Sequence, residues 1–350
     1  MSSPYLLNPK RLQTAFDRVN ESVQKGENPC GLLAVANSHE TIRREAFTRP
    51  DGDQVKQDSI FLLASITKPI LATAIMQLVE RGLLSFNVPV TRYIPEFAQP
   101  GKLPVTIWNL LTHTSGMESE AWFAALYNTQ APQSAFLKAA YQSILHFVPG
   151  TRYEYCNLSF YVLGELIIRV SGLPYPEYLR ENVFEPLGMV DTSFDPGVAK
   201  KDREAPVRGD VGTNIPHLKS IQHPGAGLWS TADDLVALGQ AYLNNGKRGD
   251  FHMLSPTTIE WMTRDHVAGL PQLSDGHDQP AHYGLGWEKW MLNNRWPGSS
   301  RTFLHTGATG TLLWIDPEYD LICVFLTTQW GVERHIQYTS LQAVYGAFEA

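Results

Sequence analysis

Apolar positions along this chain follow two periods, and the switch from one to the other outlines the fold. Residues from about Lys10 to Lys25 have the polarity of a surface helix, stopped by Gly26 and Pro29. Gly31-Leu32-Leu33-Ala34-Val35-Ala36 is a continuous apolar run of strand length, with a more polar partner strand predicted in the forties. From Ile70 to Val79, apolar residues recur at Ile70, Leu71, Ala74, Ile75, Leu78 and Val79, with Ala72 and Met76 between them. A helix apolar on nearly every side belongs in a core. Pro69 sets its start only just upstream, because proline is tolerated in a first turn and disruptive later. A helical, loop-rich middle follows to roughly residue 220. In it Thr106 caps a short helix, Ile107 to Leu111, before the loop Thr112-His113-Thr114-Ser115-Gly116, and another helix runs from Leu158 to Val170 before Gly172. Ser230-Thr231-Ala232-Asp233 reads as a capping box opening a helix that ends at Asn244-Asn245-Gly246. Thr311 to Ile315 and Leu321 to Leu326 flank Asp316-Pro317-Glu318-Tyr319 as a hairpin, and a final helix from about Glu333 to Phe348 closes the chain. Strands at both ends with helices between predict an α/β (α+β) fold. Its antiparallel sheet is built from both chain ends, residues 1–60 and 221–350, and flanked by helices, with a mainly helical domain, 61–220, inserted.

Composition narrows the function classes. The 350 residues give ample core for one large domain or two closely packed ones. A formal net charge of −7 argues against a general nucleic-acid or anionic-membrane surface, though not against a local basic pocket. The three cysteines, Cys30, Cys156 and Cys323, are few, widely spaced and odd in number, and read as buried free thiols. The first eight residues lack the pattern of an export signal, and the apolar stretch Phe61 to Leu84 is interrupted by Lys68, Pro69, Glu80 and Arg81. The expectation is a cytoplasmic enzyme with no nucleic-acid or membrane partner; sequence leaves the oligomeric state open.

The chemistry begins at Ser65-Ile66-Thr67-Lys68, where a three-residue step at the start of the core helix brings serine and lysine onto one face. A serine hydroxyl is a poor nucleophile near neutral pH without a neighbouring base. At a helix N-terminus, free N–H groups and the helix dipole also favour negative charge. Two further motifs are Tyr155-Cys156-Asn157 and His305-Thr306-Gly307. Each alone is weak, since Ser22-x-x-Lys25 and Tyr242-Leu243-Asn244 fit the same patterns in this chain. Ser22 is read as part of a polar surface helix and Tyr242 as the end of another. The histidines show no metal-ligand spacing, so no metal and no cofactor is expected.

In their order and separation these motifs resemble the serine β-lactamase-like superfamily, specifically its class C β-lactamase, D-aminopeptidase and family VIII carboxylesterase branch. Leu110-Leu111-Thr112-His113-Thr114-Ser115-Gly116, Pro149-Gly150, Pro186-Leu187-Gly188-Met189, Gly225 to Leu235 and Tyr283-Gly284-Leu285-Gly286-Trp287 extend the resemblance over about residues 30 to 330. The resemblance implies a β-lactamase/transpeptidase-like fold with its active site between the two domains. It makes Ser65 the nucleophile and Lys68 and Tyr155 a coupled proton relay, since nearby positive charge stabilises a phenolate. It implies an oxyanion hole from the backbone N–H groups of Ser65 and Ala308. Asn157, bonding Lys68 or the substrate, joins His305, Thr306 and Gly307 as substrate-binding residues. Asn157 also reads as a helix cap before Leu158, and His113 as a structural hydrogen-bonder.

One departure redirects the substrate. Penicillin-binding proteins and class C β-lactamases usually begin the third motif with lysine, whereas this chain has His305. Histidine is largely neutral above about pH 6.5, so a permanent anchor for a substrate carboxylate is lost. The expectation is an esterase or amidase on a small acyl substrate. A β-lactamase, a D-stereospecific peptidase and a catalytically silent binding relative are the alternatives, and ester, amide or β-lactam-like small molecules are the expected partners. The natural substrate depends on loops between residues 115 and 150 and between 200 and 225.

Overall fold

The computed structural model describes residues 5–117, 120–209, 214–274, 277–289, 297–331 and 335–349. Its five-stranded sheet joins the two chain ends. Helix α1 (Pro9–Gln24) precedes strands β1 (Gly31–Ala36) and β2 (Thr41–Phe47). Helices α2 (Thr67–Glu80), α3 (Leu158–Ser171) and α4 (Ala232–Leu243) follow. Strands β3 (Phe303–Thr306), β4 (Leu312–Asp316) and β5 (Leu321–Leu326) lead to α5 (His335–Tyr345). The order is β3-β4-β5-β1-β2, antiparallel at every step.

Side-chain alternation gives the sheet two covered faces. Leu33 and Val35 of β1 join Trp314, Cys323 and Phe325 beneath Phe16 and Val19 of α1 and Leu341 and Val344 of α5. Leu32 and Ala34 face the other way with Ile322 and Val324, toward Leu235 and Leu238 of α4 and the helices beyond. Burial on both faces explains why β1 and β5 read as unbroken apolar runs. The edge strand β2 carries Arg43 over the Phe16 ring at 4.2 Å and Arg44 paired with Asp233, charges that discourage further strand addition.

Local physics explains where predicted elements shift. Ser230 is not the cap of α4; Thr231 is, its hydroxyl accepting from Asp234 N–H at 3.2 Å. The Asp234 carboxylate is committed to Asp191 N–H and the Thr192 hydroxyl instead of closing a box. The last helix stops at Tyr345, because Phe348–Glu349 pair with Leu6–Leu7, while residues 333 and 334 of its expected start lie outside the described residues. Ser22 is buried and takes a hydrogen bond from Asn28 at 2.9 Å, an inward position in a helix expected at the surface. The antiparallel pair Pro271–Ser274 and His277–Pro280 had no counterpart in the sequence pattern. Cys30, Cys156 and Cys323 are buried thiols outside any disulfide. Among the described residues no helix is long and apolar enough to cross a membrane.

Candidate active site

Ser65 does not lie in α2 itself but in a 3-10 turn, Ala64–Ile66, that feeds into it. Ala64 adopts φ 48°, a left-handed conformation unfavourable for a residue with a Cβ. Surrounding bonds hold the turn there. The Thr67 hydroxyl donates to Ala64 carbonyl at 2.7 Å and accepts from Leu228 N–H at 3.1 Å, while Leu63 N–H donates to Leu228 carbonyl at 2.8 Å. From the other side, Thr309 donates to Leu62 carbonyl at 2.7 Å and Thr311 to Leu63 carbonyl at 2.9 Å. These bonds clamp the turn after β3 to the turn that presents Ser65. The contact is so close that a Cβ on Gly307 would lie 2.2 Å from Leu63 carbonyl oxygen. Glycine is required there by the approach of backbone to backbone.

Lys68 is fully buried in a helix otherwise apolar on nearly all sides. Burying an ammonium is costly unless it is hydrogen-bonded. Its Nζ donates to Asn157 Oδ1 at 2.9 Å, to Gly225 carbonyl at 2.9 Å and to Ser65 Oγ at 3.3 Å. Asn157 stands at the N-cap position of α3, yet its side chain makes no capping bond. The expected cap is therefore replaced by the bond to Lys68.

Tyr155 lies over this ammonium, its ring centroid 4.6 Å from Lys68 Nζ. Its ring also stacks on the His113 imidazole, with centroids 4.4 Å apart. His113 Nδ1 accepts Cys156 N–H at 2.9 Å, which fixes the backbone beside Tyr155 and leaves the ring proton on Nε2. Burial, then the charges of Lys68 and His305, holds His113 well below the ordinary histidine range, so it is neutral. This matches its reading as a structural hydrogen-bonder. The neighbouring Tyr153 and Tyr283 are pushed well above the usual phenol range by burial, and next by the Glu288 charge for Tyr153 and the Tyr155 charge for Tyr283. Both stay protonated, unlike what a relay needs.

Ser65, Tyr155, Asn157, Thr306 and Ala308 meet in one cleft of about 340 Å³. Ala64, Phe123, His223, Ala226, Glu288 and Trp330 complete its wall; of these, sequence had named only Ala226, within the stretch Gly225 to Leu235. Two carried a signal: Glu288 follows directly on Tyr283 to Trp287, and His223 stands just before Gly225. His223 Nδ1 accepts Gly225 N–H at 2.9 Å, and burial followed by the Lys68 charge keeps this imidazole neutral as well.

His305 lies behind the cleft. Its side chain is fully buried and is not part of the cleft wall. Nε2 lies 3.0 Å from the Tyr283 hydroxyl, and Nδ1 lies 2.8 Å from Thr306 carbonyl and 3.5 Å from Glu288 Oε1. Gly307 likewise packs under the clamp rather than facing the cleft. The decoys are structural: Tyr242 is buried with its hydroxyl 2.8 Å from that of Thr73.

Residues 16–345 match the Beta-lactamase family. Protein Rv1367c of Mycobacterium tuberculosis is 30% identical over 319 residues, 79% of each chain. Esterase EstB of Burkholderia gladioli is 28% identical over 357 residues, 89% of this chain and 86% of that one. The crystal structure of a penicillin-binding protein homologue from Caulobacter crescentus shares the fold, with a TM-score of 0.81 at 22% identity over 99% of this chain and 100% of that one. A match running almost from end to end, on a sheet joined from both termini, carries one conclusion: this chain belongs to the Beta-lactamase family, whose members are serine hydrolases.

Proposed function

We propose that this protein is a serine hydrolase that forms an acyl-enzyme on Ser65, acting as an esterase or amidase on a small acyl substrate. The observation that carries the reading is Lys68 Nζ at 3.3 Å from Ser65 Oγ, with further bonds to Asn157 and Gly225 carbonyl oxygens. Once Lys68 has given up a proton it keeps two N–H bonds, which those two oxygens can take, and the direction in which the ammonium donates to Ser65 becomes that of its lone pair. The lone pair then faces Ser65 and accepts its proton as Oγ attacks the substrate carbonyl. The charge that develops on the carbonyl oxygen is held by the N–H groups of Ser65 and Ala308. Tyr155 and Lys68 share the proton and pass it to the departing alcohol or amine as the acyl bond to the leaving group breaks. Water then repeats the sequence to free Ser65.

The cleft draws Ser65, Tyr155 and Asn157 from the segment 61–220, and Glu288, Thr306 and Ala308 from 221–350. This supports placing the site between an inserted helical domain and a sheet domain. Likeness to Esterase EstB and the replacement of a third-motif lysine by a buried His305 favour ester or amide substrates over β-lactams.

A fluorophosphonate probe tests the nucleophile. Intact mass should rise by one label on the wild-type protein and not on Ser65→Ala; labelling that persists in Ser65→Ala and disappears in Ser22→Ala would show the wrong serine. The substrate class is tested by kcat/KM on short nitrophenyl esters, D-amino-acid amides and a chromogenic cephalosporin, with Ser65→Ala as control. Much faster cleavage of the cephalosporin would overturn the esterase reading.

A further inference from the structure

We propose that a second cavity, at the far end of α2 from Ser65, binds a small aromatic carboxylate. The inference does not depend on the acyl-transfer reading of the Ser65 cleft. The cavity has a volume of about 550 Å³, and Ser85, Phe86, Asn87, Trp108, Trp261 and Arg264 line it. Val79, near the C-terminal end of α2, forms part of the same wall. From Lys68 to Val79 the helix rises about 16 Å, so a small substrate held at Ser65 does not reach this cavity.

Caps at the ends of short helices fix the aromatic wall. Trp108 belongs to the helix Ile107–Leu111, whose start is held by the Thr106–Asn109 capping box. Trp261 belongs to the helix Pro256–Thr263, where the Ser255 hydroxyl accepts from Thr258 N–H at 3.2 Å. Ser255 N–H in turn donates to Glu80 Oε1, at the end of α2, at 2.8 Å. Phe86 meets the Trp261 ring edge-on, with centroids 4.6 Å apart. The His266 ring stands 6.3 Å from that of Trp108 and 6.4 Å from that of Trp261. A carbonyl oxygen only accepts, so His266 Nε2, 2.6 Å from Trp261 carbonyl, carries a proton. Burial holds this imidazole below the ordinary histidine range, which leaves Arg264 as the cation of the wall.

That cation has no acid to meet. The side chains of Ser85, Asn87, Trp108, Trp261 and Arg264 make no hydrogen bond or ion pair among the described residues. No carboxylate lines the cavity, although acidic residues outnumber basic ones in the chain, 35 to 28. Asp265, next to Arg264, is committed elsewhere: Oδ2 accepts from His282 at 2.6 Å, and Oδ1 accepts from Val267 N–H and Tyr283 N–H. A carboxylate on a flat ring suits both parts of this wall. The guanidinium takes the carboxylate through paired N–H bonds, and the indole and phenyl rings cover the apolar body. A bare anion would leave the rings uncovered, and a neutral ring would leave the guanidinium without a counter-charge.

The test titrates naphthoate into the full chain by calorimetry, with naphthylmethanol as the ring alone and acetate as the charge alone. Naphthoate should bind saturably, one molecule per chain, and acetate should not. Arg264→Gln should weaken naphthoate about tenfold, the usual worth of a charge-assisted hydrogen bond, and should leave naphthylmethanol unmoved. Arg264→Lys should fall between, because an ammonium keeps the charge without the paired donors. Trp261→Leu should weaken both ring ligands; Trp108→Leu gives the same reading should the first variant lose its folding transition. Fluorophosphonate-labelled protein should bind naphthoate as well as unlabelled protein does. The proposal is overturned by no saturable binding, by equal affinity for naphthoate and naphthylmethanol, or by naphthoate affinity that Arg264→Gln does not change. Loss of binding on fluorophosphonate labelling would place the probe in the Ser65 cleft and overturn it as well.

Discussion

Lys68 is the residue on which the proposed chemistry turns, because it sits within hydrogen-bond reach of the hydroxyl that has to lose a proton. Replacing it with alanine removes that base and leaves Asn157 Oδ1 and Gly225 carbonyl without their shared donor. We expect Lys68→Ala to lower kcat for ester hydrolysis by about 1,000-fold, within the usual range for a positioned general base. Stopped-flow acylation by a nitrophenyl ester checks this, and a loss under tenfold would remove Lys68 from the proton path. Serine and lysine three apart were legible in the sequence because helical geometry alone brings them together. Tyr155 and Asn157 were legible as a motif, but the stacking on His113 and the bond from Asn157 to Lys68 were not. Both join residues over 40 positions apart, and no local pattern encodes such a contact. The burial of His305 was not legible for a related reason. Its identity was visible, whereas its burial depends on Tyr283 and Glu288 packed around it.

The elements around the site are held by caps and close approaches, which give predictions of a different kind. The short helix Ile107–Leu111 opens on a reciprocal capping box between Thr106 and Asn109. Thr106→Ala should cost about 1 kcal/mol, read as a lower urea midpoint with unchanged slope. Gly307 is more exacting. Its missing Cβ lets the turn after β3 rest on Leu63 carbonyl, and the same turn carries Ala308. In Gly307→Ala the two turns must part, moving the Ala308 N–H away from the developing oxyanion. We expect kcat to fall by 100-fold or more, about the cost of losing one oxyanion donor, with a smaller change in KM. Unaltered kcat would mean that Ala308 is no donor. Helix α2 and the hairpin β4–β5 followed from periodicity, since their burial is uniform along their length. The clamp did not, because Thr309 and Thr311 look like ordinary turn residues until the strand that receives their hydroxyls is in place.

At the scale of the whole molecule, the depth of the core sets the response to pH. Burial pushes the Lys102 and Lys289 ammonium groups down to about 8, against about 10.4 in an unfolded chain. Between those values the unfolded chain binds more protons, so these lysines make stability rise with pH. Cys30, pushed up to about 11 by burial, and the still higher Cys323 act in the opposite sense above about pH 8.5, where unfolded thiols ionise first. Above about pH 10 the buried phenols of Tyr153, Tyr161, Tyr242 and Tyr283 join them, staying protonated in the fold while unfolded tyrosines ionise. The two trends offset one another to about pH 10, beyond which stability should drop steeply. Scanning calorimetry under reducing conditions from pH 7 to 11 tests this; a Tm that still climbs above pH 10 would contradict it. Sequence by itself determined the class of fold, the pairing of chain ends into one sheet and the serine–lysine pair, because periodicity and short-range spacing act through neighbours along the chain. Tertiary structure alone decided that His305 is buried, that Glu288 lines the cleft, and that Asn157 bonds Lys68. Those facts depend on which distant side chains share a buried space, and no local pattern along the chain encodes that.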